Sequence, residues 1–116
     1  MKLSEVAQSL GLRNLTPELS LEGREVAGGH VSDLLSDVLA NAPRQGVLVT
    51  IQMHMNVLAV AVHAGLAAVV FAAGREPEAA VLAKAVEEGI PLLSSTQPAF
   101  DVVGRLFALG LRGRGG

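Results

Sequence analysis

Polar side chains that can hold an anion follow each of three short apolar runs in the second half of the chain. Hydroxyl, amide and guanidinium groups all donate hydrogen bonds, and a guanidinium adds a fixed positive charge. In an open parallel sheet, ligands bind beyond the carboxyl ends of the strands. We therefore predict a site for a small anionic or nucleotide-like ligand; the alternative is that these residues only cap and turn the chain. They are Thr50, Gln52, His54 and Asn56 after the first run, Gly74 and Arg75 after the second, and Ser94, Ser95 and Thr96 after the third.

A glycine pair forms a second candidate ligand site. Gly28 and Gly29 precede Ser32, which fits the N-cap of a helix, and Asp33, which fits its first turn. A glycine-rich turn before a helix lets backbone N–H groups approach a phosphate. The segment matches neither G-x-G-x-x-G nor the P-loop pattern, and no lysine is present to reach a phosphate chain. The alternative is a tight turn or a close packing contact.

No residue set in the sequence predicts catalysis, a metal site or a bound cofactor. The chain has no cysteine, which excludes disulfides, thiol catalysis and cysteine metal ligands. His30, His54 and His63 do not share an i, i+3 or i, i+4 spacing, and His63 fits a structural position in an apolar helix. The serine nucleophile pattern G-x-S-x-G does not occur. We therefore predict a protein that is not an enzyme.

Composition narrows the class of protein further. The 116 residues suffice for one domain with a buried core, and a hydrophobic content of 50% argues against intrinsic disorder. A net charge of −2 and an aromatic content of 3% argue against a nucleic-acid partner. Residues 57–73 approach the length of a membrane span, but His63 and Gly65 interrupt them, so we predict a helix, a turn and a strand there. The N-terminus shows no signal peptide, and we expect a cytoplasmic protein with no membrane contact.

Periodicity and capping residues predict alternating helices and strands. The predicted helices are 4–10, 32–41, 56–64, 77–88 and 99–109, and the predicted strands are 23–26, 47–51, 66–72 and 90–93. A strand and a helix that repeat at about twenty-residue spacing indicate parallel β-α units. We therefore predict a small layered α/β/α domain over residues 1–110 with a mostly parallel sheet. A flexible Gly/Arg tail, 111–116, follows it, and its Arg112 and Arg114 are expected in solvent, with contact to an anion as the alternative.

Four blocks of the sequence resemble the DRTGG domain family, in the same order. Residues 24–37 resemble the signature of the family, and Thr50–Gln52 with His54 and Asn56 resemble its next block. Residues 74–77, and then 91–94 leading to Phe100, resemble the later blocks. Of the naming pentapeptide only Gly28 and Gly29 are kept, because Glu25, Val26 and Ala27 stand where Asp, Arg and Thr would be. The resemblance runs from about Leu3 to Leu109.

The resemblance implies a regulatory role. DRTGG domains occur beside CBS domains in certain inorganic pyrophosphatases and with phosphotransacetylases, where they are thought to regulate and to help form dimers. Stand-alone members occur in bacteria, some near iron-hydrogenase genes, and are grouped with the N-terminal α/β domain of HPr kinase-like proteins. We therefore expect a non-catalytic regulatory domain that homodimerises and binds a small ligand. A pure protein-interaction module of a larger, hydrogenase-linked complex is the first alternative, and a phosphotransfer enzyme is the second.

Overall fold

The computed structural model describes residues 1–115 and shows a five-stranded sheet between two layers of helices. The strands are β1 Arg13–Asn14, β2 Gly28–Val31, β3 Gly46–Thr50, β4 Ala68–Phe71 and β5 Leu92–Ser94. The helices are α1 Leu3–Leu10, α2 Leu35–Asn41, α3 Asn56–Ala64, α4 Ala79–Glu88 and α5 Ala99–Ala108. The strand order is β1-β5-β4-β3-β2, with β2 to β5 parallel and β1 antiparallel to β5. The predicted layered α/β/α fold with a mostly parallel sheet is confirmed.

Successive strand residues enter opposite halves of the core. In β3, Val47 and Val49 pack in the layer formed with α1 and α5, whereas Leu48 packs in the layer formed with α2, α3 and α4. This alternation follows from the two-residue period of a strand. Because helices cover both faces, the inner strands are apolar on both sides, and all five β3 residues are buried. The continuous apolar runs in the sequence therefore predicted the central strands correctly.

Glycines end three of the helices where the sequence analysis placed them. Gly11, Gly65 and Gly89 follow α1, α3 and α4 with φ values of 62°, 64° and 74°. This left-handed conformation strains residues that carry a Cβ atom, so a glycine after a helical pattern is a strong stop signal. The helix starts were predicted less well. Lys2, not Ser4, is the N-cap of α1, and Ser32 lies before Leu34, the N-cap of α2.

The strand predicted at residues 23–26 is wrong, because the edge strand β2 comes two residues after that segment. Gly23 has a φ of 74° and lies in a turn. Gly28 is the first residue of β2 and pairs with Gly46. A Cβ atom added to Gly28 would lie 2.6 Å from the Arg112 carbonyl oxygen. The glycine pair therefore lets two chain segments approach β2 closely, which a β-propensity argument misses.

The segment predicted as a tail is attached to the domain at its start. Leu111 is buried against the α1 and α5 layer, and the Arg112 carbonyl oxygen accepts a hydrogen bond of 2.9 Å from the Gly29 N–H group. The tail prediction also included Gly116, which lies outside the described residues. Over residues 1–115, no helix is long and apolar enough to cross a membrane.

A buried threonine connects the chain after β1 to the last parallel strand. Thr16 is fully buried, and its Oγ1 accepts a hydrogen bond of 3.1 Å from the Leu92 N–H group. The Leu15 N–H group donates to the Leu92 carbonyl oxygen at 2.9 Å. Together these bonds cover the edge of β5 beyond the short β1 pairing.

We expect Thr16→Val to lower the free energy of unfolding by about 1–3 kcal/mol, because it leaves the Leu92 N–H group buried without an acceptor. Thr16→Ser keeps the acceptor and serves as the matched control. Urea unfolding of both variants measures the difference. Equal stability of Thr16→Val and the wild type would show that the Leu92 N–H group does not need this acceptor.

Candidate functional site

The carboxyl ends of β2, β3, β4 and β5 meet at one edge of the sheet because the four strands are parallel neighbours. The segments that follow them carry the polar residues singled out in the sequence. These residues fall into two groups. One group, after β2 and β3, is bound up in hydrogen bonds within the chain. The other, after β4 and β5, lines an open pocket.

Asp33 and Thr50 connect the ends of β2 and β3. The buried Thr50 hydroxyl donates to Asp33 Oδ1 at 2.8 Å, and the Ile51 N–H group donates to the same oxygen at 2.8 Å. Thr50 Oγ1 also accepts a hydrogen bond of 3.0 Å from the Gln52 N–H group. The Thr50 hydroxyl therefore already serves as both donor and acceptor. Asp33 joins the strand ends through Oδ1, although the residue is exposed.

Gln52, His54 and Asn56 form a series of side-chain turns that leads into α3. Gln52 Oε1 accepts the His54 N–H group at 3.2 Å, and His54 Nδ1 accepts the Asn56 N–H group at 3.1 Å. Since Nδ1 is an acceptor, the neutral imidazole carries its proton on Nε2. These contacts support the alternative that the polar residues after β3 cap and turn the chain. His54 Nε2, Gln52 Nε2 and the Asn56 side-chain amide make no hydrogen bond within residues 1–115 and are open to a ligand.

The residues after β4 and β5 line a pocket of about 260 Å³, which we call the strand-end pocket. It brings together four residues that the sequence analysis named, and it adds four polar or charged residues that the analysis missed. The predicted residues are Gly74, Ser94, Ser95 and Thr96, and the added ones are Arg13, Glu76, Gln97 and Arg105. Arg75, a further predicted residue, is exposed and does not line this pocket.

The Ser94 hydroxyl is the most informative group in the strand-end pocket. The residue is 6% exposed and makes no side-chain hydrogen bond to any residue of the 1–115 range. No fully buried side-chain oxygen or nitrogen in the described residues lacks a partner, so the Ser94 Oγ atom opens to the pocket and is available to a ligand. Ser95 Oγ accepts the Gln97 N–H group at 3.1 Å and keeps its own proton for donation. Two hydroxyl donors are therefore available at the end of β5.

Two arginines and one carboxylate set the charge of the strand-end pocket. Arg13 Nη1 pairs with Glu76 Oε2 at 2.6 Å, and Arg105 Nη2 donates to the Ser9 carbonyl oxygen at 2.8 Å. Arg105 keeps its full charge, because a carbonyl oxygen does not neutralise a guanidinium. Among the described lining residues Glu76 is the one carboxylate, so the pocket carries a net positive charge.

A left-handed backbone pair shapes the pocket at the end of β4. Ala73 and Gly74 have φ values of 57° and 69°. Their N–H groups donate to the Gln97 and Ser95 carbonyl oxygens at 2.7 and 2.8 Å. Alanine in this region is uncommon and costs about 1–3 kcal/mol, and such strained residues concentrate at functional sites. The two hydrogen bonds hold the loops together around the pocket and offset the strain.

The structure separates the glycine pair from the strand-end residues. Gly28 and Gly29 lie within β2, not in a turn before a helix, and the Gly29 N–H group is bonded to the Arg112 carbonyl oxygen. The phosphate-binding turn expected there is therefore not formed. Ser32 Oγ accepts the Leu34 N–H group at 3.1 Å, which makes it a local turn residue. The glycine pair lies at the amino end of β2, whereas the strand-end residues follow the carboxyl ends of the strands.

The pairing of β1 with β5 explains why Arg13 was missed. Arg13 lies opposite Ser94 in this antiparallel pair, although the two residues are far apart in sequence. The sequence analysis placed residues 12–21 in a loop with short extended pieces, and nothing local connects Arg13 with a strand end. Arg105 likewise reaches the site through the packing of α5 against α1. An arginine on a two-residue strand leaves no pattern in the sequence.

A second polar cluster joins β2 to α2. His30 Nε2 lies 2.8 Å from Asp37 Oδ2, and Asn41 Nδ2 donates to Asp37 Oδ1 at 2.8 Å. Hydrogen bonds from Asn41, from His30 and from Ser32 lower the pKa of Asp37 from 3.8 to about 2. Within residues 1–115, no group of three His, Cys, Asp or Glu side chains is placed to hold a metal ion.

No family model matches the chain, and no curated protein sequence matches it either. Among solved structures, it is similar to the CBS and DRTGG domains of the regulatory region of Clostridium perfringens pyrophosphatase, complexed with the activator diadenosine tetraphosphate. The TM-score is 0.72 and the identity is 13%, with 96% of this chain and 47% of that chain covered. At this identity the likeness shows the fold, and the chain spans about half the length of that pyrophosphatase chain.

The likeness agrees with the DRTGG resemblance at the level of the fold. The matched protein is a regulatory region and not a catalytic one. That region contains CBS as well as DRTGG domains, and this chain covers 47% of it. The likeness therefore does not show that the activator binds the part that this chain resembles. A ligand for the present chain has to be argued from its own pocket.

We expect acid to destabilise the wild type more steeply than Asp37→Asn. A carboxyl group whose pKa is lower in the folded state stabilises the fold above its unfolded pKa, and this stabilisation is lost as the pH falls toward the folded value. For Asp37 that range is from pH 3.8 down to about 2. Unfolding by urea at several pH values measures the slope. Glu18→Gln, which removes an exposed carboxyl group from a turn, is the control, and equal slopes for Asp37→Asn and the wild type would contradict the assignment.

Proposed function

We propose that this chain is a non-catalytic regulatory domain that senses a small phosphate-bearing ligand in the strand-end pocket. The observation that carries the proposal is the Ser94 hydroxyl, which opens to the strand-end pocket without a hydrogen-bond partner in residues 1–115 and lines the same pocket as Arg105. Hydroxyl and guanidinium donors around a small cavity are the groups that hold a phosphate. The volume of about 260 Å³ suits a phosphate or pyrophosphate group rather than a whole nucleotide.

A nucleotide-like ligand can extend from the strand-end pocket into a neighbouring hollow. This hollow of about 330 Å³ lies between the segments after β3 and β4 and is lined by Met53, His54, Met55 and Pro77, among others. Glu76 lines both spaces. With phosphate groups at Ser94, the sugar hydroxyls would meet Glu76 and the base would lie against the methionines. His54 Nε2, which makes no hydrogen bond within residues 1–115, is a donor at that end.

The comparison with the pyrophosphatase region supports a regulatory role and a nucleotide-like ligand. That region regulates an enzyme, and its structure contains a nucleotide with a chain of phosphates. A regulatory role and a nucleotide-like ligand are therefore both consistent with the fold.

We expect Arg105→Gln to weaken the binding of inorganic pyrophosphate by about ten- to a hundredfold, because hydrogen bonds to charged groups contribute about 1.5–3 kcal/mol. Ser94→Ala should weaken binding by about fivefold and leave the melting temperature of the free protein unchanged, since its hydroxyl has no partner to lose. Isothermal titration calorimetry and thermal melting measure the two effects. Arg75→Gln, an exposed arginine of the same edge, is the matched control.

Glu76→Gln should act in the opposite direction. It removes the carboxylate that repels an anion and releases Arg13 from its ion pair, so affinity for pyrophosphate should rise. Weaker binding by Glu76→Gln, or loss of binding on Arg75→Gln with Arg105→Gln unchanged, would place the ligand elsewhere. A panel that also contains ATP and diadenosine tetraphosphate then distinguishes a phosphate site from a nucleotide site.

Exposed aromatic residues favour self-association as a second property of the chain. Phe100 is 87% exposed and Phe107 is 57% exposed, and with Val103 they lie on one face of α5 at i, i+3 and i+7. We call these three residues the α5 stripe. Exposed apolar patches of this kind mark interaction surfaces.

An apolar groove begins at the α5 stripe, with Val103 and Phe107 in its wall and Phe100 outside it. The groove measures about 300 Å³, is largely apolar, and lies between α5 and the edge strand β2, with Val31 and Val49 in its wall. We infer that a second copy related by a two-fold axis would place its exposed Phe100 in this groove, and that the first copy would do the same in return. A ridge and a matching groove side by side thus favour a homodimer over an unrelated partner.

We expect the wild type to be a dimer at micromolar concentration and Phe100→Ser/Phe107→Ser to be a monomer of unchanged secondary structure. The double substitution removes the apolar area that drives association while leaving the buried face of α5 in place. Sedimentation equilibrium measures the change. Val62→Ser, which alters an exposed residue of α3, should remain dimeric. A monomeric wild type would contradict self-association and favour the interaction module with another protein.

A further inference from the structure

A second concave surface lies at the amino ends of the strands, opposite the strand-end pocket. Its volume is about 620 Å³. Ala27 before β2, Arg44 before β3, His63 near the end of α3 and residues 112–115 after α5 contribute to its wall. Segments from four parts of the chain therefore converge on it. We call it the basic pocket.

Positive charge dominates the basic pocket. Three arginines and one histidine line it, namely Arg44, Arg112, Arg114 and His63, and no Asp or Glu lies among the described residues of its wall. None of the three arginines forms an ion pair with a residue in the 1–115 range. The chain as a whole has a net charge of −2, so this concentration of unpaired positive charge is local. It is the arrangement that an anion would neutralise.

Two of the three guanidinium groups are held in place by the surrounding chain. Arg114 Nη1 donates to the Ala40 carbonyl oxygen at 2.6 Å. Arg112 Nη1 donates to the Phe107 carbonyl oxygen at 3.0 Å, and its guanidinium lies 3.7 Å from the centre of the Phe107 ring. Each of these arginines therefore uses one nitrogen for anchoring and keeps further N–H groups for a ligand.

Gly65 allows the third arginine to occupy its position. A Cβ atom at residue 65 would lie 2.8 Å from Nη2 of Arg44, so the missing side chain makes room for the guanidinium. No hydrogen bond to the rest of the described chain uses the Arg44 side chain. His63, expected in a structural position, is exposed instead and lines the same wall. Both side chains are free to bind.

From this convergence we propose that the basic pocket is a second anion site, for a small molecule that carries two or more phosphate groups. Guanidinium groups bind phosphate through paired N–H donors, and several guanidiniums fixed around one cavity favour a ligand with more than one phosphate. The volume lies within the range of small-molecule sites. The proposal is independent of the proposed function, since the two pockets share no lining residue.

Titration of the full chain, labelled with ¹⁵N, with inorganic pyrophosphate tests the second site. We expect saturable shifts of the Arg44 and Gly113 amide signals. Arg114→Gln should weaken the affinity fitted at these two amides by about tenfold and leave the affinity fitted at Ser95 unchanged. Arg114 follows the last buried residue, so this variant should fold normally. Arg44→Gln provides a second variant with the same expected effect.

Arg105→Gln is the control for the basic pocket, because Arg105 lines only the strand-end pocket of the two. Arg105→Gln should change the affinity at Ser95 and not at Arg44, which separates a failure of this site from a failure of the strand-end pocket. Absence of saturable shifts at Arg44 and Gly113, or equal affinity in Arg114→Gln and the wild type, would overturn the proposal. Tighter binding of a DNA duplex than of pyrophosphate at the same amides would overturn the assignment to a small molecule.

Discussion

Two backbone hydrogen bonds between the loops after β4 and β5 hold the candidate site together. The Ala73 and Gly74 N–H groups reach the carbonyl oxygens of Gln97 and Ser95, and this requires both residues to adopt a left-handed conformation. Ser94 itself is fixed by strand pairing with Phe71 and Arg13, and the two bonds join the loops that follow β4 and β5 around its hydroxyl. The parallel pairing of β4 with β5 brings the loops to the same edge, and the strained pair then fixes their distance.

The elements of the fold were predictable because their signals are local. The predicted bounds of α3, residues 56–64, agree with the structure, because an apolar helical pattern ends at Gly65. The central strands were recognisable as apolar runs of β-branched residues. The edge strand β2 was misplaced, because Gly28 and Gly29 have low strand propensity and pair only where other segments pack against them.

The candidate site was half predictable. The rule that parallel sheets bind ligands at their carboxyl ends selected Gly74 and Ser94 without any motif. It could not distinguish these residues from Thr50, whose hydroxyl is bound within the chain, because both kinds of residue look alike in sequence. Arg13 and Arg105 could not be predicted as site residues from the sequence, for another reason. Their positions depend on long-range packing of β1 and α5, and no local pattern records such contacts.

The central claim is that an anion binds between the Ser94 hydroxyl and the Arg105 guanidinium. A crystal structure of the chain grown with inorganic pyrophosphate tests it most directly. The account predicts density for a phosphate group within hydrogen-bond distance of both Ser94 Oγ and the Arg105 guanidinium. Density for pyrophosphate elsewhere on the molecule, with the strand-end pocket holding only water, would contradict it.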